Sequence, residues 1–218
     1  MNLFKILITF MIIIFAVNLA PVKVGARPSS IQLAAVQMQF NLKNYRSSQA
    51  FSQKMEKLMQ QVENQTSEKL PLLVVFPEDT GLMLIAQDNY NKLKSAATIQ
   101  EAIKKISISS FFPILFTKIK TGLPWVPSIF YNFHKKIAKT YFETFSRLAS
   151  KYGVYLAAGS VILPRYRIKK GKALIDKPVS DKVYNTTYLF NPQGQIIGSQ
   201  EKINLLDLEQ EKALNLSS

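Results

Sequence analysis

Three short apolar runs, separated by stretches of helical periodicity, constrain this chain more than any other feature. Residues 31–37 (IQLAAVQ), 72–76 (LLVVF) and 154–163 (VYLAAGSVIL) each read as a buried strand. Between the first two, Phe51, Met55, Leu58, Met59 and Val62 recur at helical spacing with Gln, Lys and Glu among them, which predicts an amphipathic helix lying on a core. Strand, helix, strand favours a parallel pair joined by a crossover helix. Residues 182–190 alternate, with Val183, Asn185, Thr187 and Leu189 on one face and Tyr184, Thr186, Tyr188 and Phe190 on the other. Asn191-Pro192-Gln193-Gly194 is a turn signal, and residues 195–199 form the returning strand of a hairpin. The pattern predicts an α/β protein of layered sheets and helices.

The middle of the chain is less regular. Residues 97–133 hold Pro113, Pro124 and Pro127, through which no long regular helix can run. They read as an inserted segment of broken helices, rich in exposed aromatic and apolar residues. Helical spacing returns with Ile137, Tyr141, Phe145, Leu148 and Tyr152, and Gly153 is placed to stop that helix. Residues 165–181 read as a basic hairpin or loop around Gly171.

With 218 residues, 47% hydrophobic and 19% charged, the chain is long and apolar enough for one ordered domain with a sizeable core, with or without an accessory segment. It has no cysteine, which excludes disulfides, zinc-thiolate sites and a thiol nucleophile within these residues. The net charge of +14 favours anionic surfaces. More than half of that excess falls in residues 91–140, where nine lysines face one acid, Glu101. These lysines cluster in an apolar insert and no recognised nucleic-acid motif accompanies them, so nucleic acid is not the expected partner.

The first residues read as an address. Lys5 precedes an almost wholly apolar stretch, residues 6–20, and Val24-Gly25-Ala26 resembles a small-residue cleavage site ahead of Arg27. Residues 1–26 are expected to be a signal peptide or, since the apolar run reaches Val22 and the lower end of the roughly 17–25 residues that span a bilayer, a membrane anchor. Either predicts a secreted or membrane-anchored protein working outside the cytoplasm.

Chemistry has few places to sit. Glu78 directly follows a buried strand in Phe76-Pro77-Glu78-Asp79, and the carboxyl ends of strands are where ligand sites form in α/β sheets. Partial burial there would raise its pKa toward that of a general base; the alternative is an exposed loop acid. Lys202 ends the returning hairpin strand and could set a compact charge beside a developing oxyanion; the alternative is a solvated surface lysine. His134, the only histidine, lies in the basic insert and suits a surface or interface role. Ser160 follows Gly159, but no G-x-S-x-G elbow surrounds it and no second histidine is present for a serine triad. No glycine-rich phosphate loop occurs, and neither a cofactor nor a metal is expected. Asn64 and Asn185 each fit the glycosylation sequon, a pattern common by chance.

Taken in order, four stretches resemble the nitrilase superfamily of carbon–nitrogen hydrolases: IQLAAVQMQFNLKNYRSS, LLVVFPED, the run from Phe142 through YGVYLAAGSVILP, and VYNTTYLFNPQGQIIGSQEKINL. They cover most of residues 31–206. The resemblance implies an α-β-β-α sandwich over residues 31–218, with a basic, apolar insert at about 91–136. Glu78 matches the family's general base and Lys202 its oxyanion-stabilising lysine. The family's nucleophile is a cysteine a few dozen residues beyond the lysine, and the sequence ends at Ser218, ahead of that stretch. The expected sandwich is therefore incomplete at its C-terminus and the chain inactive as it stands. A second family glutamate also follows the lysine, but the motif has faded by Glu209 and Glu211, and neither is assigned. The substrate implied is a small amide or nitrile, acted on by hydrolysis or acyl transfer, with a homo-oligomer or a complementing chain as partner. A non-catalytic binding or scaffold protein held at a membrane is the alternative. The insert suits either an anionic bilayer surface or a capping or dimer contact.

Overall fold

The computed structural model of this chain describes residues 30–67, 70–87, 89–203 and 217. The expected leader or anchor at 1–26, with its hydrophobic helix, lies outside the described residues, as do Glu209 and Glu211. Among the described residues no helix is long and apolar enough to cross a membrane.

One five-stranded sheet organises the molecule, in the order β1 (Gln32–Ala35), β2 (Leu72–Val75), β3 (Tyr155–Lys169), β4 (Lys172–Phe190) and β5 (Ile196–Glu201). β1, β2 and β3 are mutually parallel, and β4 runs antiparallel to β3 and β5. The crossover between β1 and β2 is α1 (Ser48–Glu63), whose first turn is capped by the Ser47 hydroxyl accepting the Ala50 N–H. α1 packs through Phe51, Met55 and Met59 against α5 (Trp125–Tyr152), and both cover the sheet face that carries Val74, Phe76, Leu156 and Phe190. Phe145 of α5 is the hub, with its ring edge-on to Phe51, Phe76 and Tyr141.

Among the described residues the other face is bare at one end. Leu33, Leu73 and Tyr155 lie side by side in register, and Leu33 and Tyr155 are exposed. The expectation that residues 31–37 form a buried strand is therefore corrected. Among the described residues β1 is an edge strand with one neighbour, and its outward side chains are exposed. Of the four-layer sandwich implied by the resemblance, the described residues form one sheet and the helices on one of its faces.

The proline-rich middle is broken into short helices as expected: α2 (Tyr90–Leu93), α3 (Ile99–Ser109) and α4 (Phe111–Thr121). The helix expected from Ile137 starts earlier, at Trp125, so the insert and the following helix share one element. Pro124 caps α5 and Pro127 sits in its first turn, where no backbone N–H has an intrahelical partner to lose. Gly153 ends α5 in the left-handed conformation, φ 62°. The basic stretch after Leu163 is a hairpin arm, not a loop. β3 and β4 continue to a two-residue turn at Lys170 (φ 49°) and Gly171 (φ 72°), the positive-φ pair that matches strand twist. The arm lies along α5. Tyr131 donates to Asp181 and Lys135 to Asp176, and the Ile196 N–H reaches the Gly171 carbonyl at 2.8 Å.

Candidate active site

The site is built where β2 stops. Phe76 still bonds to β3, its N–H donating to the Ala157 carbonyl at 2.9 Å; Pro77 then removes the next donor and releases the chain from the sheet. Residues 77–81 fold tightly over β3. The Thr80 hydroxyl donates back to the Pro77 carbonyl at 2.6 Å, and Asp79 adopts φ 59°, a left-handed conformation that a short polar side chain tolerates. The Ser160 hydroxyl accepts the Asp79 N–H at 2.8 Å, and the Ser160 carbonyl accepts the Gly81 N–H at 2.8 Å. Opposite, β3 carries a register shift between Ala157 and Ser160, with Gly159 at φ 70°. Such bulges re-aim side chains beside functional sites. No larger residue fits at Gly159: a Cβ there would lie 2.2 Å from the Pro77 carbonyl oxygen.

Two buried phenols hold this layer from below. Tyr45 donates to the Thr80 carbonyl at 3.0 Å and Tyr141 to the Gly159 carbonyl at 2.7 Å. Burial pushes both phenols up from their ordinary value, so both remain protonated donors.

Lys202 arrives from the far side of the sheet. β2 and β5 both run parallel to β3, so their carboxyl ends point to the same side of the sheet, on either flank of residues 157–161 of β3. Arg165 of β3 clamps the end of β5 by a two-pronged bond to Glu201, both contacts 2.6 Å, and the Lys202 N–H continues the ladder to the Asn185 carbonyl at 2.8 Å. The result is that Lys202 Nζ lies 2.8 Å from Glu78 Oε1. Asn185 of β4 adds a longer bond at 3.4 Å to the Asp79 carboxylate, so β3, β4 and β5 all meet the loop that carries Glu78.

This arrangement can accept a proton and balance negative charge at one point. Glu78 offers a carboxylate on a loop fixed by its own backbone; Lys202 offers an ammonium at the end of a clamped strand. Of the two readings of Glu78, the exposed loop acid is the one found: its side chain is 55% exposed, against 23% for Lys202. No group of three His, Cys, Asp or Glu side chains is placed at this site, or elsewhere among the described residues, to hold a metal ion.

The carbon-nitrogen hydrolase family model matches residues 32–218, nearly all of the chain beyond its apolar start. The chain belongs to the carbon–nitrogen hydrolase family. It is 28% identical over 125 residues to omega-amidase NIT2-B of Xenopus laevis, a match that covers 57% of this chain and 38% of that protein. Solved structures similar to it include Saccharomyces cerevisiae Nit3, a member of branch 10 of the nitrilase superfamily (19% identity, TM-score 0.37, 80% of this chain and 44% of that one). Another is the carbon-nitrogen hydrolase of Helicobacter pylori G27 (16% identity, TM-score 0.38, 86% and 44%). The chain thus spans less than half the length of these relatives.

In this member of the carbon–nitrogen hydrolase family the remaining residues singled out from sequence fall elsewhere. His134, expected at a surface or interface, is buried on α5. Its Nδ1 lies 2.7 Å from the Tyr166 hydroxyl. Asn185 is buried in β4, so its sequon presents no surface for a glycan; Asn64 is exposed at the end of α1. Ser160 has a different job from the nucleophile considered for it: its hydroxyl and carbonyl hold the loop. Sequence reasoning missed this support role and those of Asn185 and Tyr45. Gly159 beside Ser160 is the one signal that pointed to it, since a glycine inside an apolar strand marks a bulge or a close backbone approach.

Proposed function

We propose that this chain carries the general base and the charge-stabilising lysine of a carbon–nitrogen hydrolase site for small amides or nitriles. The observation that supports it is the 2.8 Å contact between Glu78 and Lys202, two residues on separate elements of a chain in that family. In such a reaction the Glu78 carboxylate takes the proton of a thiol, and the thiolate adds to the amide carbon. The oxyanion that forms is met by the Lys202 ammonium. Collapse expels ammonia, which recovers the proton from Glu78, and water hydrolyses the thioester that remains. The sequence has no cysteine, so the thiol belongs to polypeptide outside these 218 residues, either a further segment or a complementing chain. Residues 6–20 support an extracytoplasmic or membrane-anchored location for the same site.

The test is a chimera. Residues 1–218 are joined to the downstream part of the Xenopus omega-amidase, and ammonia release from small ω-amides is followed. Release that falls by roughly 10²–10⁴ in Glu78→Gln is expected; a folded chimera that releases none overturns the proposal. Ammonia release by the 218-residue chain alone would overturn the placement of the nucleophile.

A further inference from the structure

We propose that the helical hairpin α3–α4 is a docking element that lies in the surface of an anionic lipid membrane, independently of whether the site above is catalytic. α4 has two unlike faces. Ile114 is fully buried, and Thr117 reaches Asn132 of α5, so that side is the packed one. On the other, Phe112, Phe116 and Ile119 recur four and three residues apart and stand 79%, 69% and 75% exposed. Ile108, near the end of α3, is 70% exposed. Scattered apolar residues are ordinary on a protein surface, but a helical stripe of three large ones, with a fourth exposed on the preceding helix, marks an interaction site.

Charge selects the occupant. Lys104 lies one turn before Ile108 on α3, and Lys120 adjoins Ile119 on α4; both are exposed. The one acid in the hairpin, Glu101, is engaged by Lys105 at 2.9 Å. A second copy of this chain would bring the same lysines toward each other, at a like-charge cost. Single-stranded nucleic acid would find a π-face on the phenylalanines but none on Ile108 and Ile119. An anionic bilayer accepts both features at once, with apolar side chains entering the acyl boundary and lysines resting among the headgroups. α4 is only 11 residues long, which suits a helix in the plane of the surface. The element is also held rigidly: Trp125 Nε1 donates to the Ser107 hydroxyl at 2.8 Å, and its ring sits 5.6 Å from Phe111.

Trp125 is the only tryptophan, so its emission reports on the base of this hairpin and not on residues 6–20. The full chain is mixed with vesicles of phosphatidylcholine, with or without phosphatidylglycerol, and both co-sedimentation and Trp125 emission are recorded. The expected result is a blue shift with phosphatidylglycerol vesicles and quenching by brominated lipid. Phe112→Ser/Phe116→Ser should weaken that response about tenfold or more, given the apolar area removed. Lys104→Glu/Lys120→Glu should remove the preference for phosphatidylglycerol. All four side chains project from the surface, and unchanged circular dichroism and melting temperature verify that the variants fold. Sedimentation with vesicles while Trp125 emission stays unmoved would overturn the proposal and assign the binding to another segment. Equal response to neutral vesicles would overturn the anionic surface. Self-association without vesicle binding, lost in Phe112→Ser/Phe116→Ser, would make the face a contact between copies.

Discussion

Ser160 accepts the Asp79 N–H through its hydroxyl and the Gly81 N–H through its carbonyl, both at 2.8 Å, so one residue of β3 supports the loop on either side of Thr80. Glu78 has no regular element of its own. Its position is inherited from that pair of bonds and from the two tyrosines beneath. Ser160→Ala should therefore lower stability by about 1–2 kcal/mol, the usual cost of stranding a partly buried backbone donor. Urea unfolding measures it, and an unchanged midpoint would show the loop is held without this hydroxyl.

Gly159→Ala should be worse. The new methyl would meet the Pro77 carbonyl oxygen at 2.2 Å in a backbone at φ 70°, so both sterics and conformation oppose it. A loss above about 2 kcal/mol is expected. A soluble variant with the wild-type melting temperature would contradict this packing.

Glu56 predicts part of the acid sensitivity. Desolvation pulls its pKa upward, but bonds from Lys151, Arg147 and Tyr152 outweigh that and hold it at about 2, against an ordinary 4.5. A carboxylate depressed by folding contributes stability that is full above its unfolded pKa and is lost as pH falls through the folded one. The contribution from this contact between α1 and α5 should therefore vanish between pH 4.5 and about 2. Melting temperatures across that range should fall less steeply in Glu56→Gln than in the wild type.

His134 acts in the same direction at milder pH. Burial, helped by the nearby Lys135 charge and opposed by Asp176, lowers its pKa from 6.5 to about 4. The unfolded chain then takes up the proton first as pH falls, so the stability contributed by the neutral imidazole is full above 6.5 and declines toward about 4. As the only histidine, its ring C–H resonances can be followed by NMR without overlap from another imidazole. A midpoint near 6.5 would mean the ring is solvated.

Glu78→Gln and Lys202→Met should hardly affect folding. Exposed ion pairs contribute under about 1 kcal/mol, and Glu78 is more than half exposed. In the chimera, Glu78→Gln should cost roughly 10²–10⁴ in rate, the span of general-base catalysis. A melting temperature that collapses in either variant would make the pair a structural clasp.

Both residues of the candidate site stand out in the sequence because each follows the end of a strand, and parallel strand direction then sends them to one edge. Their contact was not legible, since it depends on the bulge at Gly159 and on the Arg165–Glu201 clamp, neither of which has a periodic signature. β1 departs from the expectation for a related reason: an apolar run shows that side chains could be buried, not what covers them. The start of α5 was hidden by Pro124 and Pro127, which read as breakers although a first turn accommodates them. From sequence the arm reads equally as hairpin or loop. Its arginines and lysines mask an alternation in which Tyr166 is buried between exposed Arg165 and Arg167.

The bond from Asp79 to Ser160 joins residues far apart in the chain, with the whole helical middle between them. During synthesis β1, α1 and β2 leave the ribosome well before β3 exists. Until residues 155–163 follow, the loop carrying Glu78 has neither its acceptor nor the glycine surface it folds against. The β3–β4–β5 meander closes through near neighbours and can form quickly once it has been synthesised. The proposed base is thus ordered by a late event, and a ribosome pause after residue 121 would yield a nascent chain with Glu78 present but unplaced.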